Sequence, residues 1–221
     1  MNFILTPDQL KTLMASLGKK ELFGVRDCGA PLDRETAVRC IAELVRGGLL
    51  IPEENALRCR KELRQLLRPL LAPRRVFQWL DPVSGAQLVG YCDGRDCTLL
   101  GSLAGQKNAI RLFACGQRRL AELLEEEGLL PDESTGEIAG LPPFFNESGE
   151  WLLTRGAQQG VLGWIDLYDP ETHRREARGM LCKTGQATLL ATEDSRGTAA
   201  RTYRKNALAQ WLDVHMNGET A

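Results

Sequence analysis

Residues 77–101, FQWLDPVSGAQLVGYCDGRDCTLLG, and residues 162–191, LGWIDLYDPETHRREARGMLCKTGQATLLA, resemble each other and decide the predicted fold. Three groups of residues align: Trp79-Leu80-Asp81 with Trp164-Ile165-Asp166, Cys92 with Cys182, and Thr98-Leu99-Leu100 with Thr188-Leu189-Leu190. The first group is offset by 85 residues and the other two by 90, so the second copy has five more residues in its first turn. The pattern predicts that one structural unit occurs twice.

Each copy has the same order of predicted elements. An apolar strand meets a turn (DPVSG in one copy, YDPETHRR in the other), and a second strand meets a glycine-containing turn before a third strand returns. An alternating segment follows, residues 109–113 or 199–203, and a closing helix ends each copy at 117–127 or 204–216. An antiparallel sheet with one apolar face needs such a cover. We therefore predict an α+β protein with two pseudo-symmetric halves, each an antiparallel sheet covered by a C-terminal helix.

The N-terminal segment is predicted to be helical. Thr6-Pro7-Asp8-Gln9 is a capping box with proline at the first helical position, and the helix is expected over 7–17. Apolar residues at helical spacing predict further helices over 33–46 and 53–70. The predicted domains are an N-terminal half, 1–130, a linker, 131–150, and a C-terminal half, 151–221.

Composition restricts the classes of protein. Lysine and arginine (28) nearly balance aspartate and glutamate (29), so the whole chain has no general attraction for nucleic acid or an anionic membrane. The sequence contains no apolar run of the length that spans a bilayer and no secretory signal, so we expect a cytoplasmic protein without membrane insertion. The seven cysteines are scattered without a CxxC pair, which favours reduced thiols; a redox pair of Cys92 with Cys97 is the weaker interpretation.

The sequence lacks the minimum parts of an active site. It contains no P-loop, GxSxG or strand-to-helix GxGxxG motif. Its two histidines, His173 in a predicted turn and His215 in the last helical turn, have no cysteine or histidine at zinc-ligand spacing. We predict no enzyme activity, no catalytic residues, no metal and no cofactor.

The linker contains two adjacent aromatic residues, Phe144 and Phe145, between proline and asparagine. One interpretation is that they fix the linker to the body of the protein. The other is that they form an exposed apolar contact with a partner, and on this ground they are candidate binding residues.

The order of elements resembles that of the EspG family of ESX (type VII) secretion-associated proteins. The resemblance is carried by four stretches: LTPDQLKTLMASLG; AVRCIAELVRGGLLIPEENALRCRKELRQLLRPL; RVFQWLDP with QLVGYCDGRDCTLL and AIRLFACGQRRLAELLEEE; and GWIDLYDPETHRREARGMLCKTGQATLL with the terminal helix. It covers most of the chain as a pattern, without an invariant motif.

The resemblance implies a cytoplasmic chaperone that binds a small helical-hairpin secretion substrate of the PE–PPE type. Such contacts would be made by sheet-connecting loops and C-terminal helices. The nearest loops of this chain give the remaining candidate binding residues: Asp93, Gly94, Arg95, Asp96, Lys183, Thr184 and Gln186.

A winged-helix transcription regulator with a C-terminal sensing domain is the alternative. In that interpretation the DPVSG hairpin is the wing, and the basic helix predicted over 53–70, with Arg58, Arg60 and Arg64, enters the major groove. A solvated helix face explains the same arginines. The repeat and the near-zero net charge disfavour nucleic acid as the partner.

Overall fold

A computed structural model gives the fold. It describes residues 2–19, 21–25, 32–54, 56–82, 84–103, 106–133, 160–184 and 187–217. Three residues with a predicted role in binding, Phe144, Phe145 and Gln186, lie outside these ranges.

Most of the described strands form one antiparallel sheet of nine strands. The strands are β1 Asn2–Leu5, β2 Leu50–Glu53, β3 Ala56–Cys59, β4 Arg75–Leu80, β5 Gln87–Cys92, β6 Asp96–Leu103, β7 Gln106–Gly116, β8 Val161–Tyr168, β9 Arg175–Thr184, β10 Ala187–Asp194 and β11 Gly197–Thr202. The order across the large sheet is β1-β7-β6-β5-β4-β8-β9-β10-β11, and β2 pairs with β3 in a separate hairpin. The α+β class predicted from the sequence is therefore confirmed.

Five α-helices occur in the described part of the chain. They are α1 Pro7–Ser16, α2 Arg34–Arg46, α3 Lys61–Leu71, α4 Leu120–Glu126, preceded by a 3₁₀ turn at Gln117–Arg119, and α5 Lys205–Asn217. The predicted capping box is present, because the Gln9 amide donates to the Thr6 hydroxyl (3.1 Å) and the Thr6 amide donates to the Gln9 side chain (3.0 Å). Asp33 caps α2 in the same way, accepting from the Thr36 amide at 2.8 Å.

The third helix differs from the prediction. It begins at Lys61 rather than 53, because Glu53 and residues 56–59 belong to the hairpin β2–β3. Leu50 and Cys59 are directly paired in that hairpin and both are buried, so tertiary contacts favour the strand conformation there. The leucine spacing that predicts helix applies only from Leu63 onward.

The sheet has helices on both faces. We call the front face the one that bears Val76, Val89, Tyr91 and Leu100; these side chains are buried with apolar residues of α1, α2 and α3. The back face bears Phe77, Trp79, Leu99, Ile165 and Leu190, and α4 and α5 cover it. Three layers result, with a core on each side of the sheet.

The large sheet consists of two four-strand meanders, β4–β7 and β8–β11, joined where β4 pairs with β8, and of β1, which pairs with β7 at one edge. A helix follows each meander, α4 after the first and α5 after the second. The predicted halves therefore share one continuous sheet. The predicted domain boundaries at 130 and 151 stay a prediction.

The residue correspondence proposed for the repeat does not hold in the sheet. A twofold axis relating two neighbouring antiparallel strands is perpendicular to the sheet, so equivalent residues must point to the same face. Trp79 lies on the back face with Ile165, its partner across the strands, whereas Trp164 lies on the front face with Met180. Because a shift of one residue reverses every side chain of a strand, the aligned tryptophans are not structurally equivalent. Duplication itself stays a prediction.

The winged-helix alternative is wrong. Strands β4 and β5, which would form the wing, are each hydrogen-bonded on both sides within the large sheet. The helix that would enter the major groove, α3, buries its leucines against the front face, and the Thr98 hydroxyl donates to the Leu66 carbonyl at 2.5 Å. Near its start, exposed Arg60 pairs with Glu62, as expected for a solvated face.

Candidate partner-binding site

The turn between β5 and β6 contains four of the predicted binding residues, Asp93 to Asp96. The Asp93 amide donates to the Asp96 carbonyl at 3.1 Å, and the Asp93 carboxylate accepts from the amides of Arg95 (3.1 Å) and Asp96 (3.0 Å). Gly94 has φ of +99°, a conformation that glycine adopts without steric cost. The sequence DGRD therefore builds a tight turn held by its own carboxylate.

A disulfide closes the strands immediately below this turn. Cys92 and Cys97 are directly paired across β5 and β6, with 4.2 Å between their Cα atoms, and they form the bond. The prediction of reduced thiols is wrong for this pair, because the direct cross-strand position brings the two sulfur atoms together. Four other cysteines in the described residues are free: Cys40, Cys59, Cys115 and Cys182.

Three arginines surround the turn. Arg68, at the C-terminal end of α3, Arg74, just before β4, and Arg95 line an open cavity of about 410 Å³ together with Asp93 and Gly94. All three arginines are exposed, whereas Asp93 is half-buried. Arg68 Nε lies 3.6 Å from the Asp93 carboxylate, and the Arg74 amide donates to the Cys92 carbonyl at 2.7 Å. Helix α3 and strand β4 thus place two guanidinium groups beside the turn.

The Asp93 carboxyl group is ionised in this setting. Its burial acts to raise its pKa, but the amides of Asp96 and Arg95 and the charges of Arg68 and Arg74 outweigh that effect and hold the pKa below its ordinary value. The cavity lining therefore combines three positive groups with one negative group.

The other predicted loop lies at the opposite end of the sheet. Tyr168, at the end of β8, pairs with Val76 near the 93–96 turn, whereas Val161, at the start of β8, pairs with Cys182. The Lys183 amide donates to the Gly160 carbonyl at 2.8 Å, at that far end. Eight residues of strand separate the two ends by roughly 26 Å. Lys183 and Thr184 therefore do not share one site with Asp93 to Asp96.

The two histidines occupy ordinary positions. His173 is exposed in the turn after β8, where its ring stacks on Phe23 at 4.4 Å between centroids. The His215 ring nitrogens lie 2.8 Å from the Trp211 carbonyl and 2.9 Å from the Asp194 carboxylate. Among the residues that the structure describes, no group of three histidine, cysteine or acidic side chains could hold a metal ion.

A buried ion pair lies on the front face of the second meander and was not predicted from the sequence. The Arg178 guanidinium donates to both carboxylate oxygens of Asp166, at 2.5 and 2.6 Å, and each side chain is only 5% exposed. The Tyr168 hydroxyl donates to the same carboxylate at 3.2 Å, and burial and the Asp166 charge raise the pKa of Tyr168 to about 12. The sequence does contain a signal for this pair: Asp166 on β8 and Arg178 on β9 are charged residues at positions that face the protein interior. That signal can be recognised only when the register of the two strands is known.

The described part of the chain contains no helix long and apolar enough to cross a membrane.

Comparisons with known proteins include a likeness over nearly the whole chain. No family model matches. A solved structure of the Mycobacterium tuberculosis type VII secretion system chaperone EspG5, in complex with the PE25–PPE41 dimer, superposes with a TM-score of 0.64 at 11% sequence identity. The match covers 96% of this chain and 95% of the EspG5 chain. The two proteins share a fold, which confirms the distant resemblance inferred from the sequence.

A second likeness is short. A segment of 58 residues is 47% identical to the histidine–tRNA ligase of Francisella philomiragia subsp. philomiragia. It amounts to 26% of this chain and spans 14% of the length of the ligase.

Proposed function

We propose that the protein is a non-enzymatic, cytoplasmic chaperone that binds a small helical-hairpin protein destined for type VII secretion. One observation carries the proposal: the fold shared with EspG5 over 96% of the chain, because EspG5 was captured with the PE25–PPE41 dimer. A protein of the same PE–PPE kind is the partner we expect for this chain. A chaperone of this type keeps its partner soluble by mass action, since binding lowers the concentration of the free, aggregation-prone form.

We place the contact at the sheet end that contains the β5–β6 turn. Support comes from the rigid turn, the exposed arginines and the open cavity between them. Lys183, Thr184 and Gln186, and likewise Phe144 and Phe145, stay candidates for a second contact. A partner that contacted both the β5–β6 turn and the β9–β10 turn would have to extend along the sheet from one end of the strands to the other.

A binding role agrees with the chemistry of the site. The described residues at the β5–β6 turn are arginine, aspartate and glycine, without a histidine, cysteine thiol or hydroxyl group lining the cavity. Guanidinium groups bind and orient acidic groups. The one carboxylate of the lining, Asp93, already accepts hydrogen bonds from the Arg95 and Asp96 amides, as expected for a group that holds the turn together. We therefore assign recognition, rather than a reaction, to this surface.

Co-expression tests the proposal. Each pair of small helical proteins encoded beside type VII secretion genes in the same genome would be produced with and without this chain. We expect one pair to become soluble and to elute with the chain at a fixed stoichiometry in size-exclusion chromatography with light scattering. If every pair stayed equally soluble without the chain and none co-eluted, the chaperone proposal would be wrong.

A further inference from the structure

We propose that the cavity beside the β5–β6 turn is a carboxylate-binding pocket that receives an acidic side chain of a protein partner. The proposal deepens the function above, on which it rests only for the identity of that partner. The ligand chemistry comes from the cavity itself, whose lining residues are Arg68, Arg74, Asp93, Gly94 and Arg95.

The residues that line the cavity carry more positive than negative charge. Asp93 is the only acidic residue of the lining, against three arginines. Both amides of the turn donate to one Asp93 oxygen, while Arg68 approaches the other at 3.6 Å, longer than a strong charged hydrogen bond. Arg68 is moreover 77% exposed. The three guanidinium groups therefore keep most of their donors for a ligand.

The turn that lines the pocket is held in place before any ligand binds. The disulfide joins the two strands directly below the turn, and the Gln117 amide donates to the Arg95 carbonyl at 2.9 Å. A side chain at Gly94 would lie 3.3 Å from the Arg74 side chain, which shows how closely that arginine covers the turn. The backbone of the turn therefore loses little conformational entropy on binding, and the cost of ordering is confined to the exposed arginine side chains.

A protein carboxylate suits this pocket better than a nucleic-acid backbone. Arginine binds a carboxylate through two parallel hydrogen bonds. A nucleic acid needs a continuous basic track. Arg119, in the 3₁₀ turn after β7, is already paired with Glu122 and Glu126 (2.9 and 3.3 Å), so its charge is not available to extend the basic lining. The net charge of the whole chain is −1, which gives a polyanion no general attraction.

The test uses a fluorescently labelled peptide of six glutamates and the full-length chain, with binding followed by fluorescence anisotropy. The pocket variant is Arg74→Gln with Arg95→Gln. Its matched control is Arg39→Gln with Arg46→Gln, which removes the same charge from exposed positions on α2. All four side chains are exposed, so both variants are expected to fold, and circular dichroism melting would verify it.

We expect the pocket variant to bind the peptide roughly tenfold more weakly than the wild type, and the control to bind like the wild type. Equal losses in both variants, or no loss in either, would overturn the pocket. Inorganic phosphate is the second probe. If it displaced the peptide at micromolar concentration, the pocket would be a site for a free small anion and the assignment to a protein partner would be wrong.

The two proposals can fail separately. The peptide experiment needs no natural partner, so it can succeed when co-expression fails. Conversely, a natural partner that co-elutes equally well with the pocket variant would support the chaperone and overturn the pocket.

Discussion

The two meanders of the sheet present different side chains on the same face. In β4–β7 the front face is aliphatic and aromatic, with Val76, Val89 and Leu100 buried under α1, α2 and α3. In β8–β11 the same face contains the bidentate pair of Asp166 and Arg178, beside a small apolar group around Met180. The strand order is the same, yet one meander buries hydrocarbon and the other buries charge. Strand order therefore does not fix the chemistry of a face.

The largest expected effect comes from breaking the buried pair. Asp166→Ala leaves the Arg178 guanidinium buried without its counter-charge, and we expect a loss of about 3–5 kcal/mol in the free energy of unfolding, measured by urea denaturation. The matched control is Glu53→Ala, which breaks the exposed pair with Arg58 (3.3 Å) and should cost less than about 1 kcal/mol. Similar costs for the two variants would mean that Asp166 is solvated.

Replacing each of the two tryptophans by alanine tests whether they have equivalent surroundings in the two meanders. Trp79 is 1% exposed and its ring covers Gly163, so Trp79→Ala should lower the free energy of unfolding by about 3–5 kcal/mol. Trp164 is only half-buried, and Trp164→Ala should cost roughly half as much. The same urea experiment measures both. Equal costs would mean that Trp164 is as deeply buried as Trp79, contrary to the burial in the structure.

The disulfide distinguishes the β5–β6 hairpin from the β9–β10 hairpin, where Lys183 faces Thr188. We expect reduction of the wild-type protein to lower the free energy of unfolding by about 2 kcal/mol, since a short loop is released in the unfolded chain. Two further thiols should titrate in denaturant after reduction. The double variant Cys92→Ala with Cys97→Ala is the control, and reduction should leave its stability unchanged.

The smallest effect concerns the Asp93 carboxyl group. Because its pKa is lower in the folded state, it stabilises the fold above its unfolded pKa of about 3.9, and this stabilisation is lost as the pH falls through the folded pKa. Asp93→Asn should therefore be less stable than the wild type by about 1 kcal/mol at pH 6. The difference should shrink below pH 4, as measured by urea denaturation across that range. A difference that stayed constant with pH would exclude the carboxylate as its source.

Local signals made several elements predictable. Thr6 and Pro7 mark the start of α1, and Asp33 caps α2, so both helices were predicted within one residue of their bounds. The hairpin β2–β3 was not predicted, because Leu57 was assigned to the same helix as the leucines that follow it, and only contacts of Leu50 and Cys59 select the strands. The DGRD turn of the candidate site was predicted from the sequence. The cavity beside it was not, because it is formed in part by Arg68, which is distant from the turn in sequence.

The amino-acid sequence by itself determined the α+β class, the order of the meander strands and of the helices, and the tight turn at Asp93 to Asp96, because capping residues, turn residues and hydrophobic periodicity act over a few neighbouring residues. It did not determine β1 or the hairpin β2–β3. Only the tertiary structure decided that both meanders share one sheet and that Trp79 and Trp164 point to opposite faces. It also decided which end of the sheet holds the arginine cavity. These features depend on how β4 pairs with β8, where a shift of one residue exchanges the two faces, and these two strands are far apart in sequence with no hairpin turn between them to fix the register.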